Sequence, residues 1–311
     1  MSIAISCNLS DGVVLGVDSA ITLQGSAQTP DGKTVQGVLK VYKNAEKLFP
    51  LCDLPVAVAT FGLGMLGTRT LESYVRQFEQ EQQWGKTLKA DSVSDVATKL
   101  RDFFETRYRR VLEEAHGQEF EGLTDVQRPL LGLAVAGFAP GEALSEVWEV
   151  VLPRDLAPNP VRQVRKRGEF GTSWSANFAP IHRLIKGYDV QLLEELLAYF
   201  AQQHGVKVDE GVKEEVNALL GKHESRIPYQ AMPIEEGIDH VRYLLDVVIS
   251  HARFVVGAPI CDAPVRLAVV TLEDVRWVRG LAPSKYRLTR AHVRCPLPQV
   301  GAAPEEDLHE D

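Results

Sequence analysis

Residues 1–19 read MSIAISCNLSDGVVLGVDS. Ile3, Ile5 and Cys7 alternate with Ala4, Ser6 and Asn8, the period-two pattern of a strand with one buried face. Asp11-Gly12 is a turn signal, because glycine takes positive φ without a steric cost. Val13 to Val17 then runs apolar and Asp18-Ser19 ends it, which predicts a hairpin. Removal of Met1 would make Ser2 the amino terminus. A hydroxyl and a free α-amine would then share one residue, at the mouth of a hairpin whose second strand ends in a carboxylate.

Beyond Ser19, a polar stretch with Gly25, Pro30-Asp31-Gly32 and Gly37 reads as a loop or extended hairpin, with Val38 to Tyr42 as a possible strand. Lys47 to Leu51 is a short strand, and PVAVATF (Pro55 to Phe61) a buried one. The period then changes. Leu71, Val75 and Phe78 share a helical face, as do Val93, Val96, Leu100, Phe103-Phe104, Tyr108 and Val111, with Ser92 or Ser94 as N-cap and Gly117 as stop. Pro129 to Phe138 and Val147 to Leu152 predict a second hairpin. Pro153 to Arg167 reads as a connection, and Phe170 to Ser173 as a small polar stretch. Helical periodicity follows over Pro180 to Lys186, Asp189 to Gln203, Val208 to Leu220 and Pro233 to Arg253, then a strand over Val265 to Thr271 that Val275 to Val278 extends. Hairpins alternating with helix pairs favour a layered α+β sandwich over a doubly wound parallel sheet. The expected organisation is one domain over 1–275 with a helical insertion near 180–231, then an irregular extension over 276–311 whose acidic end reads as disordered.

The 311 residues carry a formal net charge of −8, which argues against a nucleic-acid partner. The basic clusters, Arg107 to Arg110 and Arg162 to Arg167, are short and read as solvated faces. Cys7, Cys52, Cys261 and Cys295 form no Cys-x-x-Cys pair, and no signal peptide precedes them, so free thiols in a reducing cytoplasm are expected. No apolar run reaches the ~18 residues of a membrane span, so no membrane association is expected. The scattered histidines give no metal-binding spacing.

With these pieces in order, the chain resembles the proteasome β-subunit and HslV group of N-terminal-nucleophile hydrolases. The resemblance rests on Gly12 to Ser19, in register with Ser2, and on Glu46-Lys47-Leu48-Phe49 followed by Val56 to Gly62. The hairpin Pro129 to Leu152 and the segment Met232-Pro233-Ile234-Glu235-Glu236-Gly237-Ile238-Asp239, with Leu267 to Thr271 as terminal strand, complete it. It implies a four-layer αββα fold, two antiparallel sheets flanked by helices. It also implies a peptidase or amidohydrolase acting on a peptide or protein substrate, a homo-oligomeric ring and an ATP-dependent unfoldase as possible partner, without cofactor or metal.

In that reading Ser2 is the nucleophile and its own α-amine the base. An amine titrates near pKa ~7.7–8.0 and a nearby ammonium lowers it. Lys47 is the candidate for that ammonium, although Lys40 or Lys43 could hold the same strand position. Asp18 would hold the lysine, and the Gly62 N–H would face the developing oxyanion. The resemblance places Thr172, with Ser173 beside it, where a supporting hydroxyl hydrogen-bonds near the amine. The family's supporting Asp and Ser should fall near Ala252 to Gly257, where this chain has neither. Asp262 lies close by in sequence.

Two other classes compete. The absent Asp and Ser favour a catalytically inactive structural or assembly subunit. Gly62-Leu63-Gly64-Met65-Leu66-Gly67 is a literal G-x-G-x-x-G, which suggests dinucleotide binding by NAD or FAD. That fingerprint also needs an acid ~20 residues on at the end of a second parallel strand. Gln77 to Gln83 reads instead as helix.

Overall fold

The computed structural model describes residues 2–28, 34–51, 54–82, 92–153, 160–176, 179–256, 261–280 and 287–291, with the side chains of 24–37 and 126 left aside. The elements in chain order are β1 (Ile3–Asn8), β2 (Val13–Val17), β3 (Ile21–Gln28), β4 (Thr34–Tyr42), β5 (Leu48–Pro50), β6 (Val56–Gly62), β7 (Met65–Leu66) and β8 (Arg69–Thr70). Helices α1 (Leu71–Gln82) and α2 (Val93–His116) follow, then β9 (Leu131–Gly137), β10 (Glu146–Leu152), β11 (Val161–Arg165) and β12 (Gly171–Ala176). Helices α3 (Ala179–Lys186), α4 (Val190–His204), α5 (Glu210–Gly221) and α6 (Ile234–Phe254) lead to β13 (Arg266–Val270), β14 (Val275–Arg279) and β15 (Arg287–Arg290).

This is a mixed α/β chain built on antiparallel sheets. A six-stranded sheet runs β12-β1-β2-β13-β14-β15, and a five-stranded sheet runs β11-β10-β9-β6-β5. The period-two patterns decide what each face meets. On β1, Ile3, Ile5 and Cys7 join Ile238, Val241 and Leu244 of α6 in one apolar cluster. Ala4 faces the other way, with Leu15 and Val17 of β2 and Ala57, Ala59, Ala134 and Ala136 of the five-stranded sheet. Val56 and Val58 of β6 and Leu131, Leu133 and Val135 of β9 turn from that contact toward α1 and α2. The inner faces of both sheets are thus rich in alanine, while the helix-facing sides carry the larger side chains.

Helix α2 forms where the apolar spacing and both caps agree. Ser92 Oγ accepts from Asp95 N at 3.0 Å, and Gly117, at φ 66°, donates its N–H to Glu113 O. Val96, Leu100, Phe104 and Tyr108 line its buried face, each worth roughly 1.5–3 kcal/mol on leaving water.

The structure departs from expectation at several strands. The connection Pro153 to Arg167 contains β11, and the polar stretch at Phe170 continues into β12, which pairs with β1. The six-stranded sheet does not stop at residue 275, because β15 pairs with β14 from Arg276↔Arg290 to Arg279↔Arg287. Residues 302–311, expected to be disordered, lie outside the described residues. Among the described residues no helix is long and apolar enough to cross a membrane, and no cluster of His, Cys, Asp and Glu could hold a metal.

Candidate active site

Because β1 and β2 pair antiparallel with Ala4 opposite Val17, the start of β1 meets the end of β2. Asp18 leaves β2 there, fully buried. A bare carboxylate cannot persist without water unless donors replace it. Asp18 has three. Its Oδ1 accepts from Ile3 N at 3.1 Å and from Lys47 Nζ at 2.9 Å, and its Oδ2 from Ala20 N at 3.0 Å. The first donor belongs to the residue that follows Ser2, so the carboxylate fixes the chain beside that serine.

Strand β6 places the remaining parts. Thr60 N donates to Lys47 O at 2.8 Å, and Thr60 Oγ1 to the same oxygen at 3.4 Å, which anchors Lys47 just before β5. Two residues on, at the same strand end, Gly62 N donates to Ser2 Oγ at 2.8 Å. Gly62 sits at φ 83°, and a Cβ there would stand 2.2 Å from Leu130 O, so only glycine turns the backbone this way. Ser2, Asp18, Lys47 and Gly62 are therefore brought together. Ser2 is 1% exposed and Lys47 4%.

Packing sets the three lysines in different surroundings. Lys40 lies on the β3–β4 hairpin, 6.0 Å over the Tyr42 ring. Lys43 is largely exposed and pairs with Asp262 at 2.8 Å. Lys47 alone of the three reaches Asp18. Beside it, Glu46 turns toward Arg266 at 3.7 Å, and burial holds its carboxyl above the usual range.

Thr172 is not brought to this site. The β1–β12 register sets Thr172 opposite Cys7, while Ala176 stands opposite Ile3. Thr172 is therefore displaced roughly 16 Å along the strand from Ser2, at about 3.3 Å per residue. Ser173 is turned to Arg165, whose Nε donates to its Oγ at 2.9 Å. Ala176 itself has φ 74°, a conformation that strains an L side chain.

Sequence reasoning did not find the tether behind Asp18. Ser19 N donates to Asp262 O at 3.3 Å, and Ser19 Oγ donates to Pro264 O, which ties the end of β2 to the chain returning from α6. Asp262 thus meets the site through its carbonyl, while its carboxylate is turned to Lys43 and to Ala263 N. Residues Ala252 to Val256 end α6 and supply no hydrogen bond to Ser2 among the described residues. Gly257 lies outside them.

The G-x-G-x-x-G does not open a helix. Gly62 ends β6, Gly64 packs on Ile21, and Gly67, at φ 62°, makes the turn between β7 and β8, so a hairpin separates the glycines from α1. The neighbours of β6 are both antiparallel. A dinucleotide cradle needs a strand of a parallel sheet leading directly into a helix N-terminus, and neither part is here.

No family model matches the chain, and no curated protein matches it. Among solved structures it is similar to the Anbu (Gly-1) mutant from Hyphomicrobium sp. strain MC1. The identity is 11% over 94% of this chain and 89% of that one, with a TM-score of 0.45. Those values mark a distant likeness.

Proposed function

We propose that this chain is a proteasome-like N-terminal-nucleophile hydrolase, a peptidase or amidohydrolase in which Ser2 becomes the nucleophile once Met1 is removed. The observation that carries the reading is the Gly62 N–H held 2.8 Å from Ser2 Oγ, beside the buried Lys47–Asp18 pair. In this reading the two sheets and their flanking helices form an αββα sandwich with Ser2 at the start of β1.

The freed α-amine takes the proton from Oγ as the oxygen attacks a substrate carbonyl. The Gly62 N–H, which holds the hydroxyl at rest, passes to the developing oxyanion. One such donor contributes about 2.7–4 kcal/mol to the transition state. The protonated amine then gives its proton to the leaving nitrogen as the C–N bond breaks. Water, deprotonated by the same amine, attacks the acyl ester; the C–Oγ bond breaks, the ammonium returns its proton to Ser2 Oγ, and the product acid leaves. Lys47 favours the neutral amine by its charge, and Asp18 keeps Lys47 in place.

The free buried thiol of Cys7 fits a reducing cytoplasm. Helices α4 and α5 bury none of their residues, and faces such as Leu192, Leu196 and Tyr199 are where a neighbouring subunit of a ring would pack. An unfoldase would deliver substrate to such a ring. A second reading, a catalytically inactive subunit of the same fold, is favoured by the burial of Ser2 and by the lack of a supporting acid from Ala252 to Val256.

Mass spectrometry of the intact protein, followed by exposure to a β-lactone or epoxyketone probe, tests the choice. A chain beginning at Ser2 with one adduct, abolished by Ser2→Ala, is the expected result. A retained Met1, or a free Ser2 that takes no adduct, rejects the hydrolase. Sedimentation velocity separates a ring from a monomer.

A further inference from the structure

A cleft of about 640 Å³ opens at the opposite end of β12 from Ser2, between that strand, the end of α3 and the segment Glu224 to Tyr229. Its size lies within the ~300–1,000 Å³ of small-molecule sites. Phe170, Trp174 and Tyr229 give it aromatic walls. Thr172 lines it, with its hydroxyl beside the Cys7 thiol and the Tyr229 hydroxyl.

The charge of the cleft is unbalanced. Arg165 is pinned by uncharged acceptors, Nε on Ser173 Oγ at 2.9 Å and Nη2 on the Thr172 carbonyl at 2.8 Å. Its nearest carboxylate, Glu169, is half exposed and 3.9 Å away, too loose and too solvated to neutralise it. Gly171 makes this arrangement possible, since a Cβ there would stand 3.0 Å from Arg165 Cζ. Arg226 adds a second cation at the rim. The acid of the cleft, Glu224, is held by Lys186 at 2.7 Å. Burial raises the Tyr229 hydroxyl above its ordinary pKa, so it remains a proton donor across the neutral range.

We propose that this cleft binds a small organic carboxylate with an apolar body, the carboxylate on Arg165 and Arg226 and the body against Phe170 and Trp174. A guanidinium already oriented by its own hydrogen bonds loses little freedom when it takes a carboxylate. The aromatic walls supply the apolar contact that a free inorganic anion could not use. The site is separate from Ser2, and its occupancy does not depend on whether Ser2 is catalytic.

Titration calorimetry of the full chain with 3-phenylpropionate, and with the uncharged 3-phenylpropionamide, is the test. The carboxylate is expected to saturate one site per chain and to bind about tenfold tighter than the amide, the difference one charge-assisted hydrogen bond makes. Arg226→Gln should weaken the carboxylate severalfold. Ser225→Asp, which sets a negative charge on the exposed rim, should abolish its binding. Equal affinity for carboxylate and amide, no saturable heat from the carboxylate, or affinity unchanged in both variants would each overturn the proposal. The comparison of the two ligands on the unaltered protein decides the matter even if a variant fails to fold.

Discussion

Lys47 Nζ stands 2.9 Å from Asp18 Oδ1, with both side chains out of solvent. Such a pair contributes little over an apolar replacement of both partners, but removing one partner strands a charge. Lys47→Met should therefore lower the unfolding free energy by about 3–5 kcal/mol, read from urea denaturation. The double variant Asp18→Asn with Lys47→Met should recover part of that stability. Neither protein should label with the β-lactone probe. A double variant that regained labelling with its stability would show the pair to be structural only.

Gly62 carries two demands at once, positive φ and an N–H aimed at Ser2 Oγ. In Gly62→Ala the added Cβ would stand 2.2 Å from Leu130 O, so the backbone must rotate. The expected cost is about 1–3 kcal/mol of stability. A displaced oxyanion donor should also slow probe labelling by roughly a hundredfold. Labelling at the original rate in a folded Gly62→Ala protein would remove Gly62 from the mechanism.

The sequence announced those parts of the fold where local signals coincide. Ser92 and Gly117 cap α2 as their residue types require, and Val56 to Phe61 of the apolar run form β6, buried on both faces. Strand β12 was illegible because its apolar signal is Trp174 alone. Its hydroxyls serve contacts outside the strand, Ser173 with Arg165 and Ser175 with Glu149 of the facing sheet. Strand β15 has four exposed residues and exists by its register with β14. The position of Thr172 follows from the β1–β12 register, which no residue of either strand declares. The position of Lys47 likewise depends on the β3–β4 hairpin, which takes up the chain as far as Tyr42 and leaves Lys47 just before β5.

Gly16 tests the packing of α6 on β2 apart from any chemistry. A Cβ at this position would lie 2.5 Å from Val241 Cγ1, 2.8 Å from Leu267 Cδ2 and 2.9 Å from Leu245 Cδ1. All three belong to a filled core that cannot yield without strain. Gly16→Ala should cost about 1–3 kcal/mol by overpacking. Probe labelling of the folded protein should keep its rate. Unchanged stability would show that α6 does not press on β2 as described.

His240 gives the fold a dependence on pH. It lies on α6, half-buried, with its ring 5.5 Å from that of Tyr229 and Nε2 3.4 Å from the Tyr229 hydroxyl. Burial lowers its pKa below the ordinary histidine value, since charging the ring there forfeits hydration. The unfolded chain therefore takes up the proton first as pH falls. Stability contributed by the neutral ring is complete above an unfolded pKa of about 6.5 and is lost as pH falls through that value toward the lowered folded one. Melting temperatures measured from pH 8 to pH 5 should decline below about 6.5, and His240→Gln, which keeps a polar group beside Tyr229 but cannot titrate, should flatten the decline. Equal acid slopes in the two proteins would assign the loss to other groups instead.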